Sequence, residues 1–198
     1  MKLQKFILKI LLSICLVYPN IVSSQVGPND FDVEDAMNIM NIRKGMVIGE
    51  GGAGRGFFTF PMAEKVGVNG KIYANDIKES ALGYIRSSCD RKSISNIATV
   101  LGEVADPLFP VEDLEMVVIV HAFHDFTQPE QWLKNLRKYM RSGATLAILD
   151  RDPDRWGRMH YHFQTKDEVV GLLKDAGFKN IKVNTSLKYD NIYLAKKY

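Results

Sequence analysis

Cysteine is almost absent from this chain, with two among 198 residues, Cys15 and Cys89. That excludes a disulfide scaffold, and Cys89 on its own reads as a small buried hydrophobe rather than a reactive thiol. Internal repeats and low-complexity stretches are missing too. No apolar run approaches the roughly 20 residues that a membrane-spanning helix needs. Nor is there the basic excess that nucleic-acid binding demands. The formal charge is +3, yet Lys2, Lys5 and Lys9 supply three of the 26 basic residues in a segment without acids. The remainder balances at 23 of each sign, so nucleic acid is not expected as a partner. Apolar content of 46% and charged content of 25% are those of an ordinary globular domain, and the length suffices for one core.

The first segment stands apart. Its three lysines precede and enter a short apolar stretch, Pro19 breaks it, and Val22-Ser23-Ser24 supplies small residues before Gln25. This order is that of a cleaved export signal, residues 1–24, which implies a periplasmic or secreted protein. A retained anchor fits less well because Lys9 sits inside the run. A lipid attachment at Cys15 fits less well because Ile14 precedes it. After cleavage only Cys89 remains and no membrane span is expected.

Residues 25–44 are read as an N-terminal helix and lid segment. Phe31, Val33, Ala36, Met37, Ile39 and Met40 fall at helical spacing, with Asp30 as the suggested cap. From residue 45 to 198 strand and helix patterns alternate. Strands are expected at 46–50, 71–75, 97–101, 115–120 and 144–149, and helices at 55–66, 78–90, 129–141 and 165–176. Gly143 and Gly177 are taken as helix stops. "MVVIV" and "TLAIL" are continuous apolar runs, as a sheet covered on both faces requires. The fold class is therefore α/β, a Rossmann-like, mostly parallel sheet with helices on both faces. Two closing strands, in "NIKVNTSL" and "NIYLAKK", add a C-terminal antiparallel hairpin.

The first strand ends in Glu50-Gly51-Gly52-Ala53-Gly54-Arg55-Gly56. Glycine there permits positive φ and lets the backbone touch a ligand at the crevice beyond the strand ends. A dinucleotide fingerprint starting at Gly52 would need glycine where Phe57 stands, and a phosphate loop would need Lys and Ser or Thr after Gly54. What fits is an acid followed by alternate glycines: Glu50, Gly52, Gly54 and Gly56. On that spacing the chain resembles the class I S-adenosylmethionine-dependent methyltransferases, over roughly residues 42–198. Asp76, at the end of the second strand, is placed to chelate two ribose hydroxyls. The resemblance implies S-adenosylmethionine as cofactor, held by Glu50, Gly52, Ala53, Gly54, Gly56, Asp76, Ile77, Glu103, Val104 and His121. At the third strand Glu103 and Asp106 compete for the adenine-side role.

After the fourth strand, "VVIVHAFHDF" faces the methyl acceptor in that family, which makes His124 and Asp125 the catalytic candidates. His124 is the better base, since its ordinary pKa lies near neutrality. The histidines fall in two pairs, His121 with His124 and His160 with His162, both at the same sheet edge. A metal site on them is weighed and set aside, because His-x-x-His in a loop is no recognised ligand pair. Trp156, His160 and Tyr161 are expected as pocket wall; Arg55, Lys71, Lys78 and Lys166 as solvated charges. With no inserted substrate domain, a small-molecule acceptor or an exposed protein side chain is expected. A non-catalytic cofactor-binding domain and a metal-assisted hydrolase are the rival functions, and the oligomeric state is open.

Overall fold

Seven strands form one sheet: β1 (Val47–Gly51), β2 (Lys71–Asp76), β3 (Ile97–Leu101), β4 (Leu114–Val120), β5 (Met140–Arg151), β6 (Lys179–Asn184) and β7 (Asp190–Lys196). The order across it is β3-β2-β1-β4-β5-β7-β6. The first five strands run parallel, and β7 inserts antiparallel between β5 and β6. The expected hairpin is thus present. The computed structural model describes residues 31–157 and 161–198. The export segment, Asp30 and His160 lie outside the described residues.

Successive residues of β4 serve opposite faces. Met116 and Val118 join Ile48, Ala147 and Leu149 under the helices α1 (Val33–Met40) and α2 (Thr59–Val66). Val117 and Ile119 join Leu146 and Ile148 under α4 (Pro129–Leu136) and α6 (Lys166–Asp175). Burial on both faces is why these strands carry no polar alternation. Each fully buried Leu, Ile, Met or Phe contributes about 1.5–3 kcal/mol. On the α1 side, α3 (Glu79–Lys92) brings Leu82 and Ile85 against Ala74 of β2.

Helix ends follow local chemistry. Asp32 caps α1, its Oδ1 accepting from the N–H groups of Glu34 and Asp35 at 2.8 and 3.0 Å. Thr165 and Glu168 form a reciprocal capping box on α6. Gly177, at φ +84°, follows α6 as expected. Two boundaries differ from the sequence expectation. The helix expected from residue 55 begins at Thr59, because Gly54 and Gly56 hold left-handed conformations that a helix cannot include. The helix expected to reach 141 stops at Leu136, and a tight turn at Arg137–Tyr139 leads straight into β5. Gly143 is therefore no helix stop. It sits in β5 at φ +76°, where the register with β4 slips between Leu114 and Met116.

The chain reverses its winding at β1, which has β2 on one side and β4 on the other. The connections leaving β1 and β4 diverge there, opening a crevice at the carboxyl edge.

Candidate active site

A cleft of about 1240 Å³ lies at that crevice, larger than the ~300–1,000 Å³ of common small-molecule sites. Gly52, Gly54, Asp76, Ile77, Glu103, Val104, His121 and Asp125 all line it. These residues meet in one cavity because four adjacent parallel strands, β1 to β4, end there; the expected Gly56 does not line it.

The glycines of the loop differ in what requires them. Gly52, Gly54 and Gly56 stand at φ +68°, +54° and +88°. A Cβ at Gly52 would fall 2.5 Å from that of Ala122, and one at Gly56 would fall 2.6 Å from the Phe60 ring. Both close approaches are internal to the protein. A Cβ at Gly54 would meet no protein atom within 4 Å, and this is the glycine of the three that the protein's own packing leaves clear on the cleft wall. Its N–H donates to Asp76 Oδ2 at 2.8 Å, while Lys78 N–H donates to Oδ1 at 2.8 Å. The Asp76 carboxylate is thereby held rigidly at the tip of β2, beside the exposed Ile77.

Glu50 and Ala53 lie beneath the loop and do not line the cleft; the N–H of Ala53 donates to Asn75 O. Glu50 is 2% exposed and accepts from the Thr59 hydroxyl. Burial pushes its carboxyl up to about 8; the Thr59 bond opposes this and the nearby Asp76 charge adds to it. Of the two third-strand acids, Glu103 lines the cleft. Asp106 is committed elsewhere, accepting from Lys138 Nζ at 2.6 Å and Tyr139 OH at 2.7 Å. Its partial burial is outweighed by those bonds, which lower its pKa.

At the other end, His121 stands at φ +48°, uncommon for a non-glycine residue. Its N–H donates to Leu149 O at 2.9 Å, and its Nε2 lies 2.7 Å from Oδ1 of the buried Asp190, which also pairs with Arg151. The Phe31 ring meets His121 edge-on at 5.4 Å, so the start of α1 stands beside the site.

His124 stands behind this wall rather than on it. Asp150, at the end of β5, accepts from the His124 backbone N–H at 3.0 Å and lies 2.8 Å from its Nδ1, drawing the ring towards β5. Burial alone would lower the His124 pKa, but the Asp150 bond and the charges of Asp150 and Asp125 raise it overall.

Several expectations are corrected. Trp156 packs on Arg151 and Tyr189, and Tyr161 is 90% exposed; neither lines the cleft. The cause is Arg155 of α5 (Pro153–Trp156), whose guanidinium reaches the carbonyls of Thr185, Leu187 and Asp190 and turns the segment towards the β6–β7 loop. Arg55 and Lys78 are cleft residues instead of plain solvated charges, with Arg55 stacked 4.1 Å over Tyr84. Asn75 also lines the cleft, its Nδ2 donating to Pro107 O at 2.7 Å. Position along α3 decides the Lys78 and Tyr84 contacts, and only its helical period hints at them. Asp190 gave no signal, since its role rests on a contact 69 residues away.

A family model described as a methyltransferase domain matches residues 42–190. A demethylmenaquinone methyltransferase from Geobacillus sp. (strain WCH70) is 22% identical over 184 residues, covering 77% of this chain and 79% of that protein. The nocamycin O-methyltransferase of Saccharothrix syringae is 30% identical over 81 residues, covering 41% of this chain; the chain spans only 29% of its length. A solved SAM-dependent methyltransferase from Aquifex aeolicus shares the fold with a TM-score of 0.78 at 24% identity, over 84% of this chain and 89% of that one. The chain belongs to this methyltransferase family, in its class I S-adenosylmethionine-dependent form, with S-adenosylmethionine as cofactor.

Proposed function

We propose that this protein transfers a methyl group from S-adenosylmethionine to a small organic acceptor. The observation that carries the proposal is the fixed Asp76 carboxylate beside the open face of Gly54, on a cleft with room for a second molecule. Asp76 takes the ribose hydroxyls, Ile77 and Val104 flank the adenine, and Glu103 faces its amine. The backbone of Gly52, Ala53, Gly54 and Gly56 shapes the approach to the amino-acid end, with Glu50 beneath as the counter-charge to its ammonium. His121 borders the sulfonium end. The acceptor enters beside Asp125, Phe126 and Thr127, which line the same cleft. Its nucleophilic atom attacks the methyl carbon in line as the sulfur–carbon bond breaks, releasing S-adenosylhomocysteine. The protein contributes alignment and, for a protonated acceptor, the His124–Asp125 end of the cleft, where its proton is released.

S-adenosylhomocysteine release measured against phenols, quinols, bulk protein and tRNA tests this. Turnover with at least one small acceptor is expected; turnover with macromolecules alone would overturn the small-acceptor proposal.

Export through residues 1–24 is proposed on the lysine-led apolar stretch and the Val22-Ser23-Ser24 site. No helix among the described residues is long and apolar enough to cross a membrane. The mass of the protein recovered outside the cytosol is expected to match a chain starting at Gln25. An intact Met1 on all of the protein would contradict cleavage.

A further inference from the structure

We propose that His124, Asp125 and His162 form a binding site for one divalent transition-metal ion at the acceptor end of the cleft. The site draws one histidine from each of the two pairs, which is why spacing within a pair did not reveal it. His124 and Asp125 share the single tight turn Phe123–Asp125 after β4, and His162 comes from the segment between α5 and α6. One ligand atom of each lies within 4.8 Å of the others.

The separations suit a shared ion better than direct bonding. His124 Nε2 is 3.7 Å from Asp125 Oδ2, and His162 Nε2 is 3.5 Å from Asp125 Oδ1. Both exceed hydrogen-bond distances for charged pairs. They run to different oxygens of Asp125, so the carboxylate sits between the two imidazoles, and a set of single ligand atoms now within 4.8 Å would draw in to the spacing of about 3.4 Å that a tetrahedral ion with bonds of about 2.1 Å requires. Asp125 is 68% exposed, so its ion pairs with the two imidazoles contribute little by themselves.

The surroundings are those of a ligating histidine. Asp150 occupies His124 Nδ1 at 2.8 Å and leaves Nε2 as the nitrogen that faces the cluster. A carboxylate behind a metal-bound imidazole fixes its tautomer and raises its basicity. The His124 ring is further held between His162 at 4.9 Å and Phe163 at 4.6 Å. Two imidazoles and one carboxylate favour Zn²⁺, Co²⁺ or Ni²⁺ over Mg²⁺ or Ca²⁺. His121 is outside the set, because its Nε2 meets Asp190.

Three protein ligands leave coordination positions open, and Asp125 belongs to the cleft wall. Resting on the methyl-transfer proposal, this selects acceptors bearing a hydroxyl or enol oxygen. Coordination lowers the pKa of that oxygen and its proton leaves to solvent. The oxygen then bonds to the methyl carbon as the sulfur–carbon bond breaks, and S-adenosylhomocysteine departs.

The test is titration of chelator-treated protein with Zn²⁺ by calorimetry and with Co²⁺ by visible absorption. One equivalent of each is expected, with Co²⁺ bands of a four-coordinate nitrogen–oxygen site. His162→Ala should weaken binding at least tenfold, and Asp150→Asn about 10–100-fold through loss of the orienting carboxylate. Absence of stoichiometric uptake by the wild type, or unchanged affinity in His162→Ala, would overturn the site. S-adenosylhomocysteine titration of His162→Ala reads the cofactor pocket separately. Failure of the metal proposal and failure of the methyl-transfer proposal therefore register in different experiments.

Discussion

Replacing Asp76 by alanine is expected to weaken S-adenosylhomocysteine binding about 100-fold. A carboxylate gripping two ribose hydroxyls makes two charge-assisted hydrogen bonds, each contributing about 1.5–3 kcal/mol. The lower values together approach 3 kcal/mol, or about two decades in affinity. Some of the loss arises before any ligand arrives, because Asp76 also accepts from the N–H groups of Gly54 and Lys78. Asp76→Asn separates the two effects. Its remaining carbonyl oxygen can accept from Gly54 or from Lys78 but not from both, and its amide presents donors where the ribose also donates. Asn should therefore melt between the wild type and Asp76→Ala and still lose at least tenfold in affinity. Calorimetric titration alongside thermal unfolding measures both. Wild-type affinity in both variants would remove Asp76 from the ribose.

The second large effect lies at Glu50. Its carboxyl titrates near 4.5 when unfolded and at about 8 in the folded protein, with burial the leading cause. The folded state therefore binds the Glu50 proton more tightly than the unfolded chain does. Stability from this group is fully present below about 4.5, declines by about 1.4 kcal/mol per pH unit above that, and levels off beyond 8. Glu50→Gln removes the decline. The variant should match the wild type at pH 4 and exceed it by a few kcal/mol at pH 8, as read from denaturant unfolding across that range. Cofactor binding should respond in the opposite direction. An ammonium near Glu50 favours the ionised carboxylate, so wild-type binding at pH 7 should release a proton, and Glu50→Gln should bind more weakly without that release. Calorimetry in buffers of different ionisation enthalpy detects the proton. Equal pH dependence in the two proteins would contradict the account of Glu50. The two predictions are linked, because the Asp76 charge helps to raise the Glu50 pKa and Asp76→Ala should lower it.

Much of the fold was legible because the sheet is buried on both sides. Runs such as that of β4, with Met116 to Ile119 all buried, cannot be mistaken for a solvated surface. What misled were glycines, which mark positive φ without saying in which element. Gly143 looked like the end of a helix and proved to be a bulge residue of a strand. The cofactor side of the cleft was readable since Gly54, Asp76 and Glu103 lie at or beside the carboxyl ends of three parallel strands, where topology alone brings them together. The acceptor side was not. There the arrangement depends on pairings across 26 to 69 residues, His124 with Asp150 and His121 with Asp190. Trp156 shows the same limit, since the bonds of its neighbour Arg155 carry that segment away from the cleft.

The most direct test is calorimetric titration of the purified protein with S-adenosylhomocysteine, repeated in the presence of saturating S-adenosylmethionine. One binding site is predicted, with the heat abolished by the competing cofactor. Absence of heat and of any thermal stabilisation with either ligand would contradict the central claim that this cleft holds S-adenosylmethionine.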